Sequence, residues 1–342
     1  MVTMSSSRLL RSGSAGLSFP LRDGGVCVKR ARLSSIWRTN DRVGSAIFSR
    51  KVTVDASALG SQAPEHIRRI SDEVARLLSK PPAATMPETE GKAWEIKQYP
   101  PQERESVITA RKLATKLSYL QGETCPHCWL QRNHCICSQV QPLPMRHRLW
   151  IYSHLDEVLL AADTSKLLLA AYPQTARLVV NGLPSLEQEM KDALAGSARA
   201  FVLFPAENAT SFDQLAAAVA PGGTAGDDGS EGEAWDIVVL DGTWEQARKL
   251  NSRLDPEIPR VVLGRALDGH VPAHTLRAHP TPFRRISTLE ATALLLRDMG
   301  LPRGEVAPLL AYLKLADEAY YRQTEHAESR RQTTRDDAWE LL

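Results

Sequence analysis

The sequence predicts an α/β fold in which a mostly parallel sheet carries helices on both faces, together with a small zinc knuckle built from four cysteines. Two observations support this fold class. Short apolar segments alternate with segments of helical periodicity over the second half of the chain, and four cysteines stand close together just before them. Strands that alternate with helices pair in parallel, because each crossover helix covers one face of the sheet.

The overall composition is that of a soluble protein. Of the 342 residues 43% are hydrophobic, which is ordinary for a globular chain. No stretch reaches the roughly 18 consecutive apolar residues that a membrane span needs, so a membrane partner is not expected. The formal net charge is only +2, so nucleic-acid binding would depend on local basic patches. The sequence does not indicate the oligomeric state.

Residues 1–54 form a basic leader rich in Ser and Arg. Residues 1–50 carry nine Arg and Lys against two Asp. This composition is typical of an organellar transit peptide and equally of a disordered basic tail. The leader therefore favours a mitochondrion or plastid, while the cytoplasm and nucleus stay open. Residues 55–100 are expected to form an accessory helix and a linker, since apolar residues recur at helical spacing from Ala63 to Lys80 before prolines interrupt them.

Residues 101–146 are expected to form a helix, from Gln102 to Gln121, and a metal-binding knuckle. Four thiols on two tight turns suit tetrahedral zinc. Four structural thiols, an iron–sulfur cluster, or a histidine in place of one cysteine are the alternatives. With all positions filled by protein, the metal would be structural rather than catalytic. The expected ligands are Cys125, Cys128, Cys135 and Cys137.

The segments after the cysteines predict the catalytic domain, at 147–325, which a tail at 326–342 follows. A Gly-rich acidic stretch at 221–233 indicates a surface loop before a core strand. Strands are expected at Arg148–Ser153, Arg177–Val180, Arg199–Phe204, Asp236–Leu240 and Arg260–Leu263. Helices are expected at Asp156–Tyr172, Phe212–Ala220, Thr243–Leu254, Thr288–Met299 and Glu305–Gln323.

The most informative motif is Asp241-Gly242-Thr243-Trp244, which ends an apolar run. It places Asp241 at the carboxyl end of a central strand, the edge of a parallel sheet where ligands bind. Gly242 permits a sharp turn or a close approach, and Thr243 is suited to cap the next helix. Judged by residue chemistry alone, a plain helix cap with Trp244 in the core explains the motif equally well.

A second motif surrounds Ser287. Ser287 or Thr288 is expected to cap a helix that has Glu290 in its first turn, and such a helix end attracts anions. Arginines between the two motifs add capacity to bind phosphate; they are Arg277, Arg284 and Arg285. Capping chemistry is common, so this motif alone does not point to one function.

Taken in order, these motifs resemble the DTW-domain family of tRNA-uridine aminocarboxypropyltransferases, which is related to the SPOUT class of knotted RNA-modifying enzymes. The resemblance covers about Cys125 to Tyr320. Two departures are Leu155, where such sequences often carry Pro, and the insertion before Trp235. The matching elements are the cysteines, His154-x-x-Glu157 with Thr164, Phe204-Pro205, Asp241-x-Thr243-Trp244, Arg277 and Ser287-Thr288-Leu289-Glu290-Ala291.

The resemblance implies transfer of the 3-amino-3-carboxypropyl group of S-adenosyl-L-methionine to N3 of a tRNA uridine, with release of methylthioadenosine. It also implies a SPOUT-like, knotted sheet and tRNA as partner. Asp241 is the expected base, aided by partial burial beside Trp244, and Thr243 would orient its carboxylate. Trp244 would wall the pocket or stack on a flipped base. Cofactor contacts are implied at Phe204, Pro205, Leu240, Arg277, Ser287, Thr288 and Glu290.

Two other functions fit parts of the sequence. A methyltransferase of the SPOUT type would use the same cofactor in another orientation. A zinc-knuckle RNA-binding protein without catalysis would also explain the basic leader and the cysteines. Such a binder has no need for an acid at the strand edge, so the first function is preferred.

Overall fold

A computed structural model of the chain describes residues 63–80, 92–219, 234–264, 266 and 286–324. The strands are β1 (Arg148–Ser153), β2 (Ala176–Val180), β3 (Ala200–Leu203), β4 (Asp236–Asp241) and β5 (Arg260–Val261). The helices before the sheet are α1 (Glu65–Leu78), α2 (Lys92–Lys97) and α3 (Pro101–Leu120). The others are α4 (Ser165–Ala171), α5 (Pro184–Ala195), α6 (Phe212–Val219), α7 (Trp244–Asn251), α8 (Thr288–Asp298) and α9 (Arg303–Gln323).

The five strands form one parallel sheet in the order β2-β1-β4-β3-β5. Every residue of β4 is buried. Because successive side chains of a strand point to opposite faces, this burial shows that both faces of the sheet are covered. The predicted α/β fold with a parallel sheet is confirmed. The predicted knot stays a prediction, since residues 267–285, between β5 and α8, lie outside the described residues.

Helices α1 and α3 pack against each other ahead of the sheet. Their shared core contains Ile67, Ile70 and Val74 from α1 and Leu113 and Leu117 from α3, all without exposed surface. Both helices were predicted from their apolar periodicity. Helix α2 lies where only a linker was expected. The predicted leader, the Gly-rich loop and the C-terminal tail lie outside the described residues.

The helix expected at Asp156–Tyr172 was predicted too long, because α4 begins only at Ser165. Lys116 of α3 donates from Nζ to the backbone carbonyls of Leu155, Asp156 and Val158 at 2.8, 2.9 and 2.8 Å. These carbonyls therefore accept hydrogen bonds from an ammonium group instead of from helical N–H groups. Leu159 has a φ of 65°, which a right-handed helix does not contain. The residues between β1 and α4 form turns.

Helix α5 has no counterpart among the predicted elements. Its signal is present in the sequence, because Pro184 occupies the first helical position and Leu186, Met190 and Leu194 recur one turn apart on the buried side. The other predicted strands and helices appear within three residues of their expected ends. No helix in the described ranges is both long and apolar enough to cross a membrane.

Candidate active site

The carboxyl ends of the strands bring the predicted motifs to one edge of the sheet. Ser153 at the end of β1 is the register partner of Asp241 at the end of β4. Phe204 follows β3, the neighbour of β4 on its other side. The predicted position of Asp241 at the carboxyl end of a central parallel strand is therefore confirmed by the strand register.

The Asp241 carboxylate is held by two hydroxyl groups. Ser153 donates from Oγ to Oδ2 at 2.6 Å, and Thr288 donates from Oγ1 to Oδ1 at 2.8 Å. The residue is only 4% exposed. The donors come from β1 and from the first turn of α8, so three separate segments fix the orientation of one carboxylate.

A second carboxyl group, Asp163, lies close to Asp241. Burial, and then the charge of Asp241, raise the pKa of Asp163 well above its usual range. Its oxygens accept hydrogen bonds from the backbone N–H and the hydroxyl of Ser165, at 2.7 and 2.9 Å. Burial and the charge of Asp241 thus both disfavour the charged form of Asp163, while the buried Lys166 and the bonds from Ser165 favour it. Asp163 was not among the predicted site residues and falls inside the helix expected at Asp156–Tyr172.

Gly242 and Thr243 shape the turn that follows β4. A Cβ atom at Gly242 would lie 2.9 Å from Gln246 Cβ, so the turn requires glycine because of close approach. Thr243 Oγ1 accepts the Gln246 N–H at 3.4 Å, and Gln246 Oε1 accepts the Thr243 N–H at 2.7 Å. The predicted cap is confirmed. The expected orientation of the carboxylate is supplied by Ser153 and Thr288, while the Thr243 hydroxyl serves the cap.

Trp244 lies at the surface and not in the core. Its ring stacks on buried Phe204 with 5.4 Å between centroids and 15° between planes, and the residue is 44% exposed. Tryptophans that only pack within a core usually expose a smaller fraction of their surface than Trp244 does. The pair forms an aromatic platform beside Asp241, with Phe204 as its base and Trp244 as its accessible layer.

The helix end at Ser287 forms the predicted cap. Ser287 Oγ accepts the Glu290 N–H at 3.2 Å, and Glu290 Oε2 accepts the Ser287 N–H at 3.0 Å. Thr164 Oγ1 accepts the Leu289 N–H at 3.4 Å. Three N–H groups at this end are therefore bonded within the protein, which leaves little hydrogen-bonding capacity for an anion.

The other predicted cofactor contacts are placed as follows. Leu240 precedes Asp241 on β4, so its side chain lies on the opposite face of the sheet. Pro205 is exposed beside Phe204. Arg277, with Arg284 and Arg285, lies outside the described residues.

The loop after β1 completes the edge beside Asp241. The His154 N–H donates to the Asp241 carbonyl at 2.9 Å, and His154 Nδ1 accepts the Asp156 N–H at 3.2 Å. Burial is the main cause that lowers the pKa of His154. The three carbonyl bonds from Lys116 hold this loop, which positions the His154-x-x-Glu157 motif against the strand ends.

The cysteines form a candidate zinc site. Their four Sγ atoms lie within 4.8 Å of one another. The Sγ distances are 3.7 Å for Cys125–Cys137, 3.7 Å for Cys128–Cys135 and 3.6 Å for Cys125–Cys135. Zinc–sulfur bonds of about 2.3 Å in a tetrahedron require sulfur separations of about 3.8 Å. The donor set and its spacing therefore fit one zinc ion.

The backbone around the cysteines makes the turn that brings them together. The Cys125 N–H donates to the Leu130 carbonyl at 2.8 Å, and the Trp129 N–H donates to the Cys125 carbonyl at 2.9 Å. Trp129 has a φ of 56° and is almost fully buried. The knuckle is thus tied into the core through Trp129.

Comparison with known proteins gives one match. The sequence model of the DTW domain matches residues 122–321, more than half of the chain. This chain belongs to the DTW-domain family. Membership supports a role in tRNA modification, and it fits the strand-end acid followed by Thr243 and Trp244. No curated protein and no solved structure matches the chain.

Proposed function

We propose that this DTW-family protein transfers the 3-amino-3-carboxypropyl group of S-adenosyl-L-methionine to N3 of a uridine in tRNA. The observation that carries the proposal is the buried pair of carboxyl groups, Asp241 and Asp163, at the carboxyl edge of the sheet where exposed Trp244 begins the next helix. A buried negative charge at this edge also suits a co-substrate whose sulfur is positively charged.

The reaction needs a base, because uridine N3 carries a proton at neutral pH. In the proposed step N3 loses this proton to the Asp241 carboxylate and bonds to the chain carbon next to sulfur. The bond between that carbon and sulfur breaks, and its electron pair stays on methylthioadenosine. When bound, S-adenosyl-L-methionine supplies this electrophilic carbon.

The neighbours of Asp241 support its role as the base. Burial and the charge of Asp241 raise the pKa of the neighbouring Asp163, which disfavours two charged carboxylates at this edge. The hydroxyls of Ser153 and Thr288 fix the direction of its oxygens before the substrate arrives. General base catalysis depends on such alignment. We therefore assign Thr288 to positioning Asp241.

The platform of Trp244 on Phe204 suits the target base. A uracil ring taken out of its stack gains a new partner when it lies against an aromatic side chain. The accessible layer of the platform is next to the acid in the chain, since Trp244 follows Asp241 by three residues. Cofactor contacts at Phe204, Pro205 and Arg277 remain part of the proposal, whereas Leu240 lies on the opposite face of the sheet.

The test is a transfer assay with the zinc-loaded full chain. Purified protein is incubated with S-adenosyl-L-methionine and unmodified tRNA, and the digested nucleosides are analysed by mass spectrometry. We expect uridine that carries the aminocarboxypropyl group, together with methylthioadenosine. Methylated nucleoside would indicate the methyltransferase instead, and RNA binding without any product would indicate the non-catalytic binder.

The base assignment is tested with Asp241→Asn. The amide keeps one oxygen that accepts a hydroxyl bond but cannot take the N3 proton, so the transfer rate should fall by about 10²–10⁴. Asp236→Asn is the matched control, since Asp236 lies at the other end of β4 and pairs with Arg148. Full transfer by Asp241→Asn would show that another group is the base.

A further inference from the structure

A cavity lies away from the strand-end site, between α1, the knuckle, α4 and the first residues of β2. Its volume is about 430 Å³, within the range of small-ligand pockets. Ser153, Asp163 and Thr288, which surround the Asp241 carboxylate, do not line it. The polar side chains that do line it are Glu65, His66, Arg69, His127, Lys166, Gln174 and Arg177.

His66, which is one of the lining residues, carries a polar atom without a partner in the described ranges. Its Nε2 is fully buried and has no hydrogen-bond partner among the described residues. Burial, and then the charge of His127, lower the pKa of His66 to about 3, so the imidazole is neutral. Buried polar atoms in folded proteins are nearly always bonded, and an exception points to a group that arrives from outside.

Arg177 gives the cavity an available cation. Its guanidinium donates to the carbonyl of the neighbouring Ala176 at 3.1 Å, and it has no acidic partner in the described part of the chain. Arg69 pairs with Glu189, and Lys166 donates to the Ala161 carbonyl. Glu65 is the single acid among the lining residues. The excess of positive side chains around the cavity therefore favours an anion at Arg177.

The remaining walls are mostly apolar and can pack against a flat ring. They include Pro64, Val140, Pro142, Leu167, Leu169 and Pro173. Two cysteines of the candidate zinc site, Cys128 and Cys137, also line the cavity. A ligand that fits this cavity needs a flat ring whose faces pack against the apolar walls. The edges of that ring need polar atoms that can bond to His66 and Gln174, and the ligand also needs a negative group that can pair with Arg177. An acidic peptide offers the charge without the polar ring.

We propose that this cavity binds one nucleotide of the RNA substrate, with the base inside and its phosphate at Arg177. The inference deepens the proposed function, because it gives the tRNA a second contact away from the reacting uridine. Helix α1 supplies His66 and Arg69, and α1 precedes the residues 122–321 that match the DTW domain. The contact would therefore be an addition that this chain makes to its catalytic domain.

The first test follows His66 directly. The zinc-loaded full chain, labelled in its histidines, is titrated with uridine, adenosine, guanosine and cytidine 5′-monophosphates while the imidazole signals are observed by NMR. His66→Gln identifies the His66 signal. We expect a saturable shift of that signal with at least one nucleotide and none with inorganic phosphate alone. An equal shift with phosphate, or with an acidic peptide in place of nucleotides, would overturn the inference.

The second test measures tRNA affinity over a range of salt concentrations. Arg177→Gln should weaken binding and lower the slope of log affinity against log salt by about one, as expected for one lost phosphate contact. Arg68→Gln is the matched control, because Arg68 lies on α1 but is exposed and does not line the cavity. Equal affinity and slope for the two variants would overturn the inference.

The proposed transfer reaction and the proposed nucleotide contact can be contradicted independently of each other. Neither binding test requires group transfer, so a nucleotide-dependent shift of His66 in a protein that transfers nothing would overturn the proposed reaction alone. Transfer to tRNA with an unmoved His66 signal would overturn the nucleotide contact alone.

Discussion

Two buried aspartates lie close together at the sheet edge. Burial, and then the charge of Asp241, raise the pKa of Asp163 well above its usual range. Asp241 accepts hydrogen bonds from the hydroxyl groups of Ser153 and Thr288, which are 88 and 47 residues away in sequence. At this scale the environment of each carboxyl group is made by residues that the fold brings together.

The raised pKa of Asp163 predicts how stability depends on pH. The unfolded chain releases this proton near pH 4, whereas the folded chain retains it to a higher pH. Between these values the folded state binds the additional proton, so the free energy of unfolding should fall as pH rises. Asp163→Asn should remove this dependence, because an amide keeps the bonds to Ser165 without titrating. Urea unfolding at steps from pH 4 to 8 measures it.

The control for Asp163→Asn is Asp192→Asn, an exposed position on α5. That variant should keep the pH dependence of the original protein. If Asp163→Asn keeps it as well, the buried proton does not belong to Asp163.

Trp244 predicts a contribution to tRNA affinity. Stacking of a base on an aromatic ring is worth about 1–3 kcal/mol, so Trp244→Ala should raise the dissociation constant for tRNA by about tenfold to a hundredfold. Trp244→Phe should retain most of the affinity. Tyr119→Ala is the control, since Tyr119 is an exposed aromatic on α3. Unchanged binding by Trp244→Ala, measured by filter binding, would exclude the stacking role.

At the scale of elements, the knuckle joins the metal site to the core. The segment between the first and last cysteine contributes the buried side chains of Trp129, Leu130 and Ile136. Its turn places four sulfur atoms at the separations of a zinc tetrahedron. Packing and metal binding therefore depend on the same short stretch of chain.

Loss of the metal should destabilise the protein. We expect one zinc per chain, and we expect Cys135→Ser to lose it and to melt roughly 10 °C lower or more, because metal binding contributes to folding. Elemental analysis and thermal unfolding measure the two effects. Cys27→Ser is the control and should keep its zinc. A Cys135→Ser variant with full zinc and an unchanged melting temperature would contradict the assignment.

The elements were predictable where the chain itself carries a regular pattern. β4 and α3 follow from apolar runs and helical periodicity, and the cysteine spacing indicated the metal site. Helix α4 was predicted too long because Lys116, about 40 residues earlier, takes the carbonyls that a helix would have used. Likewise, the sequence did not predict that Ser153 and Asp163 lie at the site. Strand register brings Ser153 to Asp241, and Asp163 is buried close to Asp241, and the order of residues shows neither.

At the scale of the whole molecule, the DTW domain shares its core with the helices before it. Helix α1 contacts α3 and β2, and α3 holds the loop after β1 through Lys116. The match to the DTW domain begins only at residue 122. The part of the chain that the family shares is therefore packed against a part that lies outside the match.

A shortened chain tests this dependence. Residues 122–321 alone should fail to unfold cooperatively, because removal of α1 and α3 exposes apolar surface on β2 and the knuckle. A chain of residues 63–324 should melt at the temperature of the full protein. Calorimetry of the two fragments measures the difference. Cooperative unfolding of 122–321 at an unchanged temperature would show that the earlier helices are dispensable for stability.

The position of β4 in the sheet determines when the candidate active site can form. β4 lies between β1 and β3, although the chain makes both of those strands first. During synthesis β1 and β3 therefore lack their common neighbour until β4 has been made, and Thr288 must follow before the Asp241 carboxylate has both of its hydroxyl partners. A chain that ends before Thr288 would lack one of the two groups that hold Asp241.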